Sequence, residues 1–382
     1  MVEPRSALVL AGLLAVAAAG CGSPTDGSPI EVATAEAHVA PPPPPPRPRT
    51  PVETPAPPPP LTFAVLSDLH LPNDHQPQVR QLVAALIDLR VRFVVITGDH
   101  TNGSDHDGPH RRAGIGRWYQ VITDILRPLR DAGIGVLPVA GNHDSYLEFQ
   151  RDAYFEAFGD LDAWAGPVQI NPPQERAYSR LARPPFSYSA DVDGVHLSLT
   201  HIVTGHLEPD VEAWLAEDLA GAQRARHRLV FGHVPMATVV GRFGPRRSFI
   251  ADFGGLLEQG EVEAYVAGHE HVVWDEDVRL ASGGTLRQVL VGCSSGFYNY
   301  EPSAREKQRA RCHHVDRHGL IDALACRMPN GAGGFVLSRG RKNRELQEHL
   351  NSFTLFTIDG ARTEVRPMTI DARGRAVDFY QD

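Results

Sequence analysis

Five short apolar runs in this chain each stop at residues able to hold a metal ion or move a proton, and few folds accommodate that pattern. Phe63 to Ser67 runs into Asp68-Leu69-His70, Phe93 to Thr97 into Gly98-Asp99, and Ile134 to Val139 into Gly141-Asn142-His143-Asp144. Leu229 to Phe231 leads into Gly232-His233, and Ala264 to Ala267 into Gly268-His269-Glu270-His271. Short apolar runs followed by glycine or a turn read as buried strands. A strand that ends in polar groups presents them at the carboxyl edge of a sheet, where α/β folds place their sites.

The segments between the runs support that architecture. Val79, Leu82, Val83, Leu86 and Ile87 recur at helical spacing, as do Trp118, Val121, Ile122, Ile125 and Leu129. Strand, helix, strand, helix, strand at such intervals predicts βαβ crossovers and a parallel sheet. Residues Asn102 to Gly116 read as a polar loop at the mouth of the site, with His100, His106 and His110 as exposed or substrate-facing histidines. A helix is expected over Leu147 to Phe158. Tyr188 to Val192 and Val195 to Leu199 alternate around Asp193-Gly194, which predicts a hairpin and hence a mixed second half. Asp210 to Leu219 reads as a helix with an acidic first turn. Leu286 to Cys293, Ser352 to Ile358 and Thr363 to Ile370 read as further strands, whereas 294–351 is a polar insertion with no assignable pattern.

The ends of the chain carry a different message. A short apolar region after Arg5 has signal-peptide proportions, and Ala18-Ala19-Gly20-Cys21 resembles the lipobox of a bacterial lipoprotein, which makes Cys21 the lipidated residue. Residues 1–20 are then the signal peptide and 21–60 a proline-rich linker. Such a linker favours polyproline II at about 3.1 Å per residue and would hold a domain at 61–382 several tens of ångströms from its anchor. The expected location is the cell envelope, facing periplasm or exterior. In an oxidising compartment Cys312 and Cys326 are the natural pair, while Cys293 reads as a small buried hydrophobe. The net charge of −9 works against nucleic-acid backbones, so no nucleic-acid partner is expected.

The ligand-competent groups at the strand ends are Asp68, His70, Asp99, Asn142, His233, His269 and His271. Taken singly, Asn142 would serve as a turn residue, Asp144 as a helix cap and His70 or His233 as surface histidines; taken together they have one explanation. Seven groups exceed one four-coordinate ion and suit two ions sharing a bridge, with Asp99 the bridging candidate through its two oxygens. Histidine, carboxylate and one amide favour zinc, iron or manganese over calcium. His269 and His271, two apart, would point to one side of an extended segment. His143 is then free for phosphoryl contact or proton donation, with Asp144 placed to fix its tautomer.

The order Asp-x-His, Gly-Asp, Gly-Asn-His-Asp, Gly-His and Gly-His-x-His resembles the calcineurin-like metallophosphoesterases over Leu61 to Cys293. The resemblance implies a four-layer αββα sandwich of two mixed sheets flanked by helices. It implies one ion, of Fe, Mn or Zn in a divalent or mixed-valence pair, held by Asp68, His70, Asp99 and His271. The second would be held by Asp99, Asn142, His233 and His269, and His143 takes the role of phosphate contact and acid. Purple acid phosphatases in this superfamily carry a tyrosine three positions after the bridging aspartate, where this chain has Asn102, which argues against a tyrosinate-bound ferric ion. The activity implied is hydrolysis of a small phosphate mono- or diester by attack of metal-bound hydroxide on phosphorus, with Arg111, Arg112, Arg242 and Arg246 as candidate contacts to a second charged group. The alternative is a non-catalytic metal- or ligand-binding surface lipoprotein on the same fold.

Overall fold

A computed structural model describes residues 59–105, 108–174, 176, 178–238, 247–295 and 351–379, together with four short strands between 311 and 347. The chain divides at Pro55/Ala56, and every described residue belongs to the second unit. The signal region, Cys21 and most of the proline-rich linker lie outside the described residues, as do His106, Arg242 and Arg246.

The elements follow in the order β1 (Leu61–Leu66), α1 (Gln76–Asp88), β2 (Phe93–Ile96), α2 (Pro109–Asp131), β3 (Gly135–Pro138), α3 (Asn142–Ser145), α4 (Glu148–Phe158) and α5 (Leu161–Ala165). Then come β4 (Gln169–Ile170), β5 (Tyr188–Val192), β6 (Val195–Leu199), α6 (Pro209–Gly221), β7 (His227–Phe231), α7 (Arg247–Gln259), β8 (Ala264–Ala267), β9 (Val273–Arg279) and β10 (Thr285–Val291). The chain continues with β11 (Arg311–His314), β12 (Ala323–Arg327), β13 (Gly334–Ser338), β14 (Glu345–Gln347), β15 (Ser352–Asp359), β16 (Arg362–Ile370) and β17 (Ala376–Asp378).

Two mixed sheets result. The first is six-stranded, in the order β17-β16-β15-β1-β2-β3, and the second seven-stranded, in the order β4-β5-β6-β7-β8-β10-β9. The strands β1, β2 and β3 run parallel, and β15 joins β1 antiparallel. Three apolar clusters account for the layers. Leu82, Leu86, Ile122 and Leu126 of α1 and α2 cover Leu66, Val94 and Val136 on the outer face of the first sheet. Trp214, Leu215, Phe253 and Leu257 of α6 and α7 cover Val230, Tyr265 and Leu290 on the outer face of the second. Between the sheets Phe63, Val95 and Leu137 meet Leu197, Phe231, Val266 and Val289. Phe63 is the hub of that inner layer, stacked on Phe93 at 4.6 Å and Phe356 at 5.1 Å, with Phe231 edge-on at 6.5 Å from the opposite sheet. The arrangement is the α/β sandwich of two mixed sheets flanked by helices that the motif order implies.

Local chemistry explains the turns. Asp193 and Gly194 both take positive φ, 50° and 82°, which is what a two-residue hairpin with native twist requires. The loop expected over Asn102 to Gly116 is shorter than that, because α2 begins at Pro109, where a proline without an N–H fits the first helical turn. His110, Arg111 and Arg112 therefore sit on a helix, and the Arg112 guanidinium lies over the Phe149 ring at 5.1 Å. The C-terminal strands β15 to β17 extend the first sheet. The unassigned insertion holds β11 to β14 as a separate four-stranded sheet, whose antiparallel register sets Cys312 opposite Cys326. Cys293 is buried, its Sγ 3.2 Å from the carbonyl oxygen of Asp68. Among the described residues no helix is long and apolar enough to cross a membrane.

Candidate metal centre

The strands β1, β2 and β3 of one sheet and β7 and β8 of the other deliver the candidate residues to one edge of the sandwich. Five of them leave their strands in the left-handed region, with φ of 54° at Asp68, 47° at His70, 53° at Asp99, 69° at His269 and 57° at His271. Aspartate and histidine tolerate this conformation better than most residues, and cross-loop backbone bonds hold it. Asp68 N–H donates to Gly98 O at 3.0 Å, and His70 N–H to Asp99 O at 2.9 Å. His269 and His271 are thus on a turn and not on the extended segment expected from their spacing, and it is the turn that aims both inward.

Gly98 and Gly141 permit the close approach of these loops. Gly98 has φ 102°, and a Cβ there would lie 2.5 Å from His233 Nδ1 and 2.7 Å from Gly141 Cα. A side chain at Gly141 would collide with the Asp99 backbone and carboxylate.

Seven donor groups converge. Asp68 Oδ1 lies 3.3 Å from His271 Nε2 and 3.7 Å from His70 Nε2. Those two imidazole nitrogens stand 3.2 Å apart. Asp99 Oδ2 is 3.8 Å from His70 Nε2 and 3.2 Å from His233 Nε2. Asn142 Oδ1 lies 2.8 Å from His233 Nε2 and 2.9 Å from His269 Nδ1. Asp99 Oδ1 accepts the His143 N–H at 2.8 Å, while Oδ2 is the oxygen that stands nearest an imidazole of each cluster.

These contacts suit a cation. His233 Nδ1 lies 2.8 Å from the carbonyl oxygen of Thr97 and must donate to it, which turns Nε2 toward two acceptor oxygens, Asp99 Oδ2 and Asn142 Oδ1. Only a proton or a metal ion between them removes the repulsion. Burial alone would depress the His233 pKa, but the Asp99 charge drives it up to about 9. Burial and the neighbouring His233 push His269 down to about 3. Against a burial effect that would raise it, Asp68 is held well below the usual carboxylate range by His271. Its Oδ1 is buried and makes no hydrogen bond, an orphan acceptor of the kind a metal ion satisfies. Among the described residues three groups of donor atoms lie close enough to hold an ion: Asp68, His70 and His271; His70, Asp99 and His143; Asp99, His233 and His269.

His143 stands at the rim with its side chain 32% exposed and Nε2 3.8 Å from Asp99 Oδ2. Its Nδ1 is bonded to the Gly103 carbonyl, which fixes the tautomer. The expected partner for that task, Asp144, faces the other way. Its Oδ2 accepts from Gly141 N, His100 N and His100 Nδ1 at 3.0, 3.1 and 3.0 Å. Its Oδ1 accepts from Thr101 N at 3.2 Å and Tyr119 OH at 2.8 Å. So many donors converge on Asp144 that, although burial would raise its pKa, His100 and the surrounding N–H groups keep it low. Asp144 thus braces the Asn142 loop from behind, and does not touch the His143 ring.

Sequence reasoning misplaced His100 and missed Tyr119 and Tyr146. His100 is fully buried, not a rim histidine. A histidine directly after a ligand-bearing Gly-Asp was the available signal. Tyr119 sits on the buried face of α2 and carries no motif.

A family model of the calcineurin-like phosphoesterases matches residues 61–273, more than half of the chain. No curated protein matches. Among solved structures of similar fold is purple acid phosphatase PPD1 from yellow lupin (Lupinus luteus) seeds, at 12% identity and TM-score 0.52, covering 84% of this chain and 53% of that one. The chain therefore spans about half the length of that phosphatase. GAP50, the anchor in the inner membrane complex of Plasmodium, aligns at 13% identity and TM-score 0.49 over 84% of this chain and 88% of its own. A dimetal phosphatase from Danio rerio aligns at 14% identity and TM-score 0.45 over 76% and 98%. At these identities the likeness speaks of fold alone.

Proposed function

We propose a hydrolytic function from one premise: the chain belongs to the calcineurin-like phosphoesterase family. On this reading it cleaves small phosphate mono- or diesters with two divalent or mixed-valence ions of Fe, Mn or Zn. The observation that carries the reading is the convergence of seven donors on a site where Asp68 Oδ1 is buried without a hydrogen bond and His233 Nε2 faces two acceptors. Asp68, His70, Asp99 and His271 would hold one ion, and Asp99, Asn142, His233 and His269 the other, with Asp99 common to both. Two ions, when bound, supply Lewis acidity that offsets charge on a phosphoryl oxygen and acidifies a water.

The remaining work falls to the chain. Since His143 gives its Nδ1 hydrogen to Gly103, Nε2 is the ring atom left to face the substrate. In the imidazolium form it donates to a phosphoryl oxygen, or passes its proton to the departing alcohol, while Nδ1 stays anchored. The Asp99 carboxylate holds the His143 backbone, and so the ring position, through the bond to Oδ1.

Assays of the full chain with a chromogenic phosphate monoester and the matching diester, metal-free and with Mn²⁺, Zn²⁺ or Fe²⁺, test the proposal. Metal-dependent turnover lost in Asn142→Ala and His143→Ala supports it, and the preferred ester names the substrate class. Two bound ions without turnover on either ester would overturn hydrolysis of these esters in favour of a binding role.

The proposed setting is the cell envelope, with lipid attached at Cys21 and the linker as a stalk. It rests on the Ala18-Ala19-Gly20-Cys21 sequence. Cys21→Ser should abolish labelling by radioactive palmitate in the producing bacterium and release the protein from membranes; unchanged labelling would refute the anchor.

A further inference from the structure

Of the seven converging groups, Asn142 is the one whose value to a cation depends on which way its amide is turned. With Oδ1 toward His233 and His269 it offers a lone pair; flipped, it would offer only N–H hydrogens and remove a ligand. Asn142 is 3% exposed, so water does not serve its amide. With Oδ1 committed to the two imidazoles, Nδ2 needs an accepting partner on its other side. That partner is the hydroxyl of Tyr146, which accepts a hydrogen bond from Asn142 Nδ2.

The chain is built to bring that hydroxyl back. Tyr146 follows α3 directly, and its own N–H donates to Asn142 O at 3.0 Å, so one helical turn returns the ring over residue 142. Ser145 fixes the same turn, with Oγ 2.8 Å from His201 Nε2 and its carbonyl receiving Arg151 Nε at 3.0 Å. The Tyr146 ring stands edge-on to His143 at 5.5 Å and remains 39% exposed, so it contributes little to the core.

We infer that Tyr146 is a positioning residue: its hydroxyl locks the Asn142 amide with Oδ1 turned toward His233 and His269, and thereby sets the affinity of the second ion. The inference rests on the dinuclear reading above.

A double-mutant cycle separates the two. The full chain is stripped with a chelator and titrated with Mn²⁺ by calorimetry, as wild type, Tyr146→Phe, Asn142→Asp and the double variant, with the spin coupling of a Mn²⁺ pair followed by electron paramagnetic resonance. Wild type should take up two ions. Tyr146→Phe should keep the first ion's affinity and weaken the second by about tenfold or more, the usual effect of removing an outer partner of a metal ligand. Coupled signal should fall at subsaturating metal. An aspartate presents an oxygen whichever way it turns, so in the Asn142→Asp background Tyr146→Phe should change second-ion affinity by less than about twofold. An unchanged second ion in Tyr146→Phe overturns the inference while leaving the dinuclear reading intact. The same loss in both backgrounds also overturns it, by showing a merely structural role. A wild type that binds fewer than two ions overturns the dinuclear reading itself, and the inference with it.

Discussion

At the scale of single residues, direction matters more than identity. Asp68, His70, Asp99, Asn142, His233, His269 and His271 were legible because each follows an apolar run, and strand ends carry side chains to a common edge. The orientation of Asp144 was not legible, since it depends on His100, Thr101 and Tyr119, whose arrival at the same point is a tertiary event. The two neighbours in the motif should therefore separate in experiment. His143→Ala should retain bound metal, checked by elemental analysis, and lose roughly 10²–10⁴-fold in kcat, the range for a lost acid or base. Asp144→Asn should instead destabilise the fold by about 3–5 kcal/mol in urea unfolding, because an amide cannot accept from every donor that the buried carboxylate now satisfies.

At the scale of elements, local patterns carried far and then stopped. The hairpin around Asp193-Gly194 and the β1, β2 and β8 runs match their expected bounds closely, because period and turn chemistry are local properties. Helix α2 was shortened in the reading, since Gly114 and Gly116 in its first turns mask an N-terminus that Pro109 in fact marks. The joining of β15 to β1 was invisible for another reason: Thr62 and Thr357, whose hydroxyl oxygens lie 3.4 Å apart, are separated by 295 positions in sequence. Phe63 at the hub of the inner layer is fully buried, and Phe63→Ala should cost about 3–5 kcal/mol in denaturant unfolding. In the insertion, directly opposed residues of an antiparallel pair have Cα atoms about 4.5–5.5 Å apart, within reach of a disulfide. Protein from an oxidising compartment should accordingly keep Cys312 and Cys326 unlabelled by iodoacetamide until it is reduced and unfolded, as read by peptide mass.

At the scale of the molecule, charge pairs tie layers together and make stability depend on pH. His196 on β6 lies 2.9 Å from Asp191 on β5 and 3.0 Å from Asp218 on α6. Burial would lower its pKa, yet Asp218 and then Asp191 raise it above the ordinary 6.5. A folded pKa above the unfolded one means that the contribution is fully present below about pH 6.5 and is lost as pH rises through the folded value. Denaturation midpoints of wild type should thus fall, relative to His196→Gln, as pH climbs from 6 toward 9.

The insertion leaves and re-enters the body at a single knot. Cys293 bridges Asn351, Ser294 Oγ donates to Ser352 O at 2.8 Å, and Ser352 Oγ donates to Val291 O at 3.1 Å. Ser294 Oγ also receives the Ser67 N–H at 3.0 Å, one residue before the first candidate ligand. Two chain ends already held side by side form a graft junction, where one module can be exchanged for another at little entropic cost to the host. The sandwich keeps its register at this junction whatever segment is carried between the two ends.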